Sequence, residues 1–246
     1  MLKRAKTLHQ REIELIIKVS EEPLKDIMKW FDYAREVLHC KINSVLLDLG
    51  CWTNENSQTS DWIATQNRTI DKMSIWNYNE ESDDDLKYLM ERIHASGNLS
   101  LSVRKHKDDF RMEIPGKPER LHIDYSEFID YNQLLRLKSP VINLQQSILT
   151  SQEINRFLKS WMSCATHLEL EAFKISISGP NAMNQIMKLP HEKTNDPKIA
   201  DAFKGRPFNL QVVNEMFTIK RSDGKKHATV TVENLWGVWS FYLIVH

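Results

Sequence analysis

Cys164 and His167 are spaced as C-x-x-H, half of a zinc pattern. Structural zinc takes four ligands, and no second Cys/His pair stands at a matching spacing, so no metal site is expected. His39 and Cys40 are neighbours, and adjacent side chains diverge in regular structure. The expected state of these residues is a partly buried cysteine and an exposed or hydrogen-bonded histidine. Asp83, Asp84 and Asp85 could attract a cation. They stand at the start of an apolar-periodic run, however, where acids favour a helix N-terminus. "RKHKDDFR", residues 104–111, mixes both signs and reads as a solvated turn. No nucleophile elbow, P-loop or HExxH helix is present. No catalytic residue is expected, and the chain reads as a non-enzyme.

The stretch "SVLLDLGCWTNENS", residues 44–57, is the strongest cofactor candidate. An apolar strand ending in Asp-Leu-Gly-Cys looks like the strand and loop with which class I methyltransferases approach S-adenosylmethionine. Such a loop needs small residues where backbone meets ligand. Here Gly50 is followed by Cys51 and Trp52, and the indole fills the space a cofactor needs. The next strand should end in an acid for the ribose, yet it ends in Trp76-Asn77. A degenerate methyltransferase-like enzyme is therefore the weakest reading, and no cofactor is expected.

The elements that would position these residues follow a regular pattern. Strands are expected near Ser44, Lys72, Asn98, Arg120, Val141 and Leu168, with Val45/Leu47/Leu49, Met73/Ile75, Leu99/Leu101/Val103, Leu121/Ile123, Ile142/Leu144 and Leu168/Leu170 alternating. Period-2 patches recurring every ~20 to 28 residues mark a β/α array. Between them lie amphipathic helices. Pro23 opens one with Ile27, Trp30, Phe31 and Ala34 on one face. Ser82 is the N-cap candidate for Leu86, Leu89, Met90 and Ile93. Thr150 and Glu153 form a capping box ahead of Ile154, Phe157, Leu158 and Trp161, a stripe expected in the core, with Asn155 and Lys159 facing solvent or capping. The spacing from Arg120 to Val141 leaves room for only a brief helix.

After residue 178 the chain is rich in Pro, Gly and Asn and reads as loops with short helical turns. Phe217 and Ile219 then lead through Ser222-Asp223-Gly224 to Val230 and Val232, a hairpin, and "SFYLIVH" adds a strand. The expected architecture is α/β: an irregular leucine-rich-repeat-like β/α array over residues 1–178, with a small C-terminal antiparallel β module over 179–246 packed on it.

The 246 residues carry 33 basic and 33 acidic side chains, a formal charge of zero, and a hydrophobic fraction of 41%. That suits a substantial core. It supplies no general attraction to nucleic acid or an anionic membrane. No apolar run reaches the ~18 residues of a membrane span, the N-terminus lacks a signal-peptide core, and three cysteines suit a reducing compartment. A cytoplasmic or nuclear protein is expected.

The block "LKSPVINLQQSILTSQEINRFLKSWMSCATHLELEAFKI" resembles the F-box-associated domain of the large nematode (Caenorhabditis) F-box families, F-box B type. Thr150, Glu153, Ile154, Asn155, Phe157, Leu158, Lys159 and Trp161 match its helix, and Leu168-Glu169 its following Leu-Glu. "FTIKRSDGKKHATVTVE" is similar to the family's C-terminal hairpin, and "WFDYAREVLHCKINSVLLDL" to its opening helix and strand. The resemblance implies a substrate receptor of an SCF-type ubiquitin ligase, whose F-box docks on a Skp-type adaptor while the associated region captures the target. An F-box is a helical block of about forty residues, and none is legible here; residues 1–22 read as a short strand. A Skp-type adaptor is thus expected only if an F-box lies outside or hidden in this chain, and the alternative role is a general protein-binding scaffold without a ubiquitin function.

In a β/α array the outward strand positions line up. Asp48, Trp76, Ser102, His122, Asn143 and Glu169 are expected to form one row across the strands that binds an unknown target protein, with Trp76 as an interface anchor unless covered.

Overall fold

The computed structural model describes residues 22–51, 55–205, 207–210 and 215–246. Trp52 and the short strand expected in the first residues lie outside them. The chain divides into two compact units, Met1–Ile42 and Asn43–His246.

In the first unit, helix α1 (Pro23–Leu38) starts on its proline and ends at His39 in the left-handed region, φ 51°. Its apolar stripe is only partly buried: Ile27 and Trp30 are 60% and 63% exposed, while Phe31 and Ala34 are half-buried.

The second unit is mixed α/β. Its strands are β1 (Ser44–Asp48), β2 (Thr69–Glu81), β3 (His94–Lys105), β4 (Arg120–Ile123), β5 (Val141–Leu144), β6 (Ala172–Ile177), β7 (Glu192–Thr194), β8 (Met216–Lys220), β9 (His227–Leu235) and β10 (Val238–Val245). Its helices are α2 (Asn56–Gln66), α3 (Asp83–Arg92), α4 (Tyr131–Arg136), α5 (Ser151–Met162), α6 (Ala182–Ile186) and α7 (Pro197–Lys204). All ten strands make one sheet, ordered β1-β2-β3-β4-β5-β6-β10-β9-β8-β7. The first six are parallel and in chain order. From β6 onward every pairing is antiparallel, so the sheet runs without a break across residue 178.

Alternation separates the two faces. Val45, Met73, Ile75, Leu99, Leu101, Leu121, Ile123, Ile142, Leu144, Phe173 and Ile175 are all buried. Buried with them are the stripes of α3 (Leu86, Leu89, Met90), α4 (Leu134) and α5 (Ile154, Phe157, Leu158, Trp161). Phe157 and Phe173, ring centroids 5.0 Å apart, join α5 to the sheet directly. Burying so many large apolar side chains, at ~1.5–3 kcal/mol each, is what holds the helices to this face.

Helix starts follow local chemistry, with two surprises. The Thr150–Glu153 capping box forms as expected, each side chain meeting the other's backbone N–H. Asp130 and Gln133 make a second one on the brief helix α4. Ser82 occupies the N-cap of α3, but its side chain makes no cap bond. Instead Glu81 accepts from the Asp83 N–H at 2.7 Å. Asp83 itself is 1% exposed and accepts from His106 Nδ1 (2.5 Å) and the Lys107 N–H (2.8 Å). The 104–111 stretch is therefore not simply a solvated turn: His106 stacks on buried Phe110 at 4.5 Å, and only the flanking charges are exposed. Asn155, expected to face solvent or to cap, is buried and donates to the carbonyls of Ile186 (2.7 Å) and Lys188 (3.2 Å).

The last expected strand is displaced. Leu168 is 50% exposed and Leu170 is buried in the loop before β6, whose ladder begins at Ala172. The C-terminal hairpin forms between β8 and β9, with Gly224 at φ 69° in its turn. No helix among the described residues is long and apolar enough to cross a membrane.

Candidate functional site

On the opposite face of β1–β6 the side chains are exposed or half-buried except for Ala172, and none of the described helices of the Asn43–His246 unit has its buried stripe against β1–β5 there. The ladder registers sort them into rungs. Ser44, Lys72, Asn98, Arg120, Val141 and Ala172 form the first. Leu46, Ser74, Ser100, His122, Asn143 and Lys174 form the second. Asp48, Trp76 and Ser102 form the third. Asp124 continues that rung, because its N–H donates to the Leu101 carbonyl at 2.9 Å and its carboxylate meets Ser102.

The expected row is therefore two partial rows. Asp48, Trp76 and Ser102 share one rung, and His122 and Asn143 share the one below it. Glu169 lies off the sheet. It sits in the loop before β6, paired with Lys117, at the rim of a cavity of about 590 Å³ framed by the loops that enter β4, β5 and β6. The residue that completes the second rung on β6 is Lys174.

The side chains of this face are bonded to one another. Ser102 Oγ donates to Asp124 Oδ2 at 2.5 Å, and His122 Nε2 lies 2.7 Å from Asp124 Oδ1. With Nε2 donating to the carboxylate, His122 Nδ1 is left to accept from Asn143 Nδ2 at 2.6 Å. The His122 hydrogen bond holds the Asp124 carboxyl below its usual range against the opposing effect of burial, with Ser102 assisting. The set contains a serine, a histidine and an aspartate, but the serine is bonded to the acid and not to the imidazole. A nucleophile needs its base within hydrogen-bond reach, so this is an orienting network.

Trp76 is half-buried. Burial alone would raise the Asp48 carboxyl, but hydrogen bonds from the Trp76 indole, the Cys51 thiol and the Gly50 N–H together hold it low. Tyr78, two positions further along the same face of β2, is 50% exposed and meets Tyr125 edge-to-face at 6.4 Å. Toward β10, Lys174 lies 5.3 Å from the ring of Tyr242, and burial draws its pKa down. Tyr242 packs with Phe203 of α7, Leu210 and Met216 in a separate small core. Tyr242 pairs with Lys174 across the β6–β10 ladder and so shares its face. Helix α7 thus covers the antiparallel end of the face that stays open over β1–β6.

Asp124, Lys174 and Tyr78 were not among the expected site residues. Two were available from period-2 alternation: Asp124 stands two after His122, and Tyr78 two after Trp76. Lys174 required the correct start of β6.

Of the loop compared with a cofactor loop, the described part ends at Cys51, and Gly50 is closely packed. A Cβ there would meet Asn77 Oδ1 at 3.0 Å and Asp48 Oδ1 at 3.3 Å, so the backbone is closed in by the protein's own side chains. β1 is an edge strand, and β1–β6 run in order with no reversal. Doubly wound folds place their dinucleotide crevice at such a reversal. Cys164 and His167 both adopt left-handed backbone, φ 62° and 50°. Cys164 Sγ is 3.6 Å from Ser222 Oγ, and His167 Nδ1 is 2.7 Å from Thr166 Oγ1.

Residues 109–175 match the family model described as F-box associated. The match runs from the loop after β3 through β4, α4, β5 and α5 into β6, and so includes His122, Asp124, Asn143 and Lys174. No curated protein and no solved structure matches the chain.

Proposed function

We propose, from the F-box-associated region that this chain carries, that it is a protein-interaction module whose open sheet face captures a target polypeptide. It is the recognition part of an SCF-type substrate receptor and performs no chemistry of its own. The observation that carries the reading is the overlap of the family match with β4–β6, the half of the uncovered face nearest β10. Six parallel strands in chain order, with helices on one side only, support a leucine-rich-repeat-like use of the other side: such arrays present strand faces to partners. The bonded network gives that face preset geometry, which lowers the entropic cost of binding. The ligase role places the protein in the cytoplasm or nucleus.

The test is affinity purification of the full chain, wild type beside Ser100→Arg, which plants a bulky charge in the middle of the open face. The expected result is a target lost with Ser100→Arg, and, if the chain holds an F-box, a Skp-type adaptor and cullin that co-purify with both. Recovery of the target without adaptor or cullin would favour the scaffold reading without a ubiquitin role. Equal recovery of every partner by both proteins would remove the open face from the account.

A further inference from the structure

The C-terminal end of α5 carries a cysteine at a position that favours glycine. The Cys164 N–H donates to the Trp161 carbonyl (3.0 Å) and the Ala165 N–H to that of Ser160 (2.9 Å), a Schellman ending. Such an ending puts one residue in the left-handed region, here Cys164 at φ 62°, where a Cβ is a cost. The backbone closes the helix without using the thiol. That thiol is half-exposed, and the turn between β8 and β9 lies against it. Ser222 holds the turn to the helix end: its N–H donates to the Met162 carbonyl at 2.7 Å, and its Oγ lies 3.6 Å from Cys164 Sγ.

Arg221, the residue before it, is only 8% exposed, and a guanidinium is seldom buried so far. Its Nη2 pairs with Asp223 at 2.5 Å and its Nη1 donates to the Leu168 carbonyl at 3.2 Å, but its Nε is buried without an acceptor. The guanidinium faces the Cys164 sulfur, on which it acts both as a donor and through its charge. A buried N–H without an acceptor is costly, and an oxygen carried by this sulfur would supply one. Asp223 stands on the same turn. Its N–H also donates to the sulfur, while its carboxylate, which the thiol meets as well, is taken up by Arg221 and by the Lys225 N–H at 3.0 Å. The Ser222 hydrogen bond first, then Arg221 and the Asp223 N–H, draw the Cys164 thiol below its usual pKa against the opposing effect of burial. Cys51 gives the contrast within the same chain. It is exposed, but its thiol donates to the Asp48 carboxylate at 3.1 Å, which pushes its pKa up.

We propose that Cys164 is a peroxide-reactive thiol, with Ser222 and Arg221 as positioning residues that hold the thiolate before oxidation and the new oxygen after it. The thiolate attacks one oxygen of a hydroperoxide. An S–O bond forms as the O–O bond breaks, and the sulfur gives up the two electrons that the peroxide gains. The second oxygen leaves as hydroxide or alkoxide and takes a proton from water. The product is a sulfenic acid, a stoichiometric modification of the chain and not a turnover. Its oxygen gives Arg221 Nε the acceptor that it lacks. The site lies at a helix end and not on the open sheet face, so it stands apart from the reading of that face as the target site.

The experiment treats the full chain with hydrogen peroxide in the presence of dimedone, which caps sulfenic acids, and reads each cysteine by peptide mass spectrometry. Iodoacetamide alkylation across a pH series gives the ionisation midpoint of each thiol. The proteins are wild type, Ser222→Ala and Arg221→Gln, and circular dichroism checks that each is folded. Wild-type Cys164 is expected to be capped at least about tenfold faster than Cys51 and to show the lower midpoint. Ser222→Ala removes one exposed hydroxyl. It should raise the Cys164 midpoint and slow its capping at least about threefold, the worth of a hydrogen bond to a charged group at its low end, with Cys51 unchanged. A folded Arg221→Gln should act in the same direction. Capping of Cys164 no faster than that of Cys51, a midpoint equal to or above that of Cys51, or an unchanged Cys164 in Ser222→Ala would each overturn the proposal. A folded Arg221→Gln with wild-type rates at Cys164 would overturn the part given to Arg221; if that variant does not fold, Ser222→Ala decides alone.

Discussion

Asp124 takes hydrogen bonds from residues on two strands, Ser102 and His122, and through His122 reaches Asn143 on a third. Its lowered pKa makes it a source of pH-dependent stability. The folded carboxyl titrates below its ordinary value of 3.8, so the contribution is present above that value and disappears as pH falls through the lower folded one. Asp124→Asn is expected to cost about 1–2 kcal/mol near neutral pH, the worth of the hydrogen bonds lost. The variant should also lose part of the acid-induced fall in Tm that wild type shows in a series from about pH 5 to 2. His167 acts at a higher pH. Burial pushes its pKa from 6.5 down to about 4, against a smaller opposing hydrogen bond to Leu134. The unfolded chain therefore binds a proton between about pH 6.5 and 4 that the folded chain refuses. Stability should fall by about 2–3 kcal/mol across that window as pH drops, and level off below it. His167→Asn, which tolerates the left-handed backbone at φ 50°, should flatten that window in urea titrations run at several pH values.

Helix α5 shows how much an element can be read in advance. Its capping box and its stripe of Ile154, Phe157, Leu158 and Trp161 were both legible, because each depends on spacing within one turn or two. Asn155 was misplaced for the opposite reason: its partners, the Ile186 and Lys188 carbonyls, come from the end of α6 and the segment after it, distant in sequence and without a periodic signal. β6 slipped by four residues because Leu168-Glu-Leu170 alternates as well as Phe173-Lys-Ile175 does. Only the tertiary ladder, with Ala172 opposite Val141, decides between them, and that slip is what put Glu169 on the face in place of Lys174. Likewise His106 and Asp83 lie on separate elements, so two groups that read as solvated charges are an internal pair. Two substitutions separate local from tertiary contributions. Thr150→Ala removes the cap and should cost about 1 kcal/mol. Asn155→Ala leaves the Ile186 and Lys188 carbonyls without this donor and should cost about 1–3 kcal/mol, with hydrogen exchange accelerated around residues 186–188.

At the scale of the whole Asn43–His246 unit, one sheet has a buried face over its central strands and a second, divided face. The first holds the core against α3, α4 and α5. On the second, α7 and its small core close the antiparallel end, the described residues of the unit leave β1–β5 uncovered, and the F-box-associated match spans β4–β6. The central claim is that the target binds there and not on the outer helical surface. A photo-crosslinking amino acid placed in turn at Ser100, in the middle of the open face, and at Lys159, exposed on α5, tests this most directly. After irradiation in cells, a discrete crosslinked target from position 100 and none from position 159 is the predicted result. A crosslinked target from position 159 with none from position 100 would contradict it.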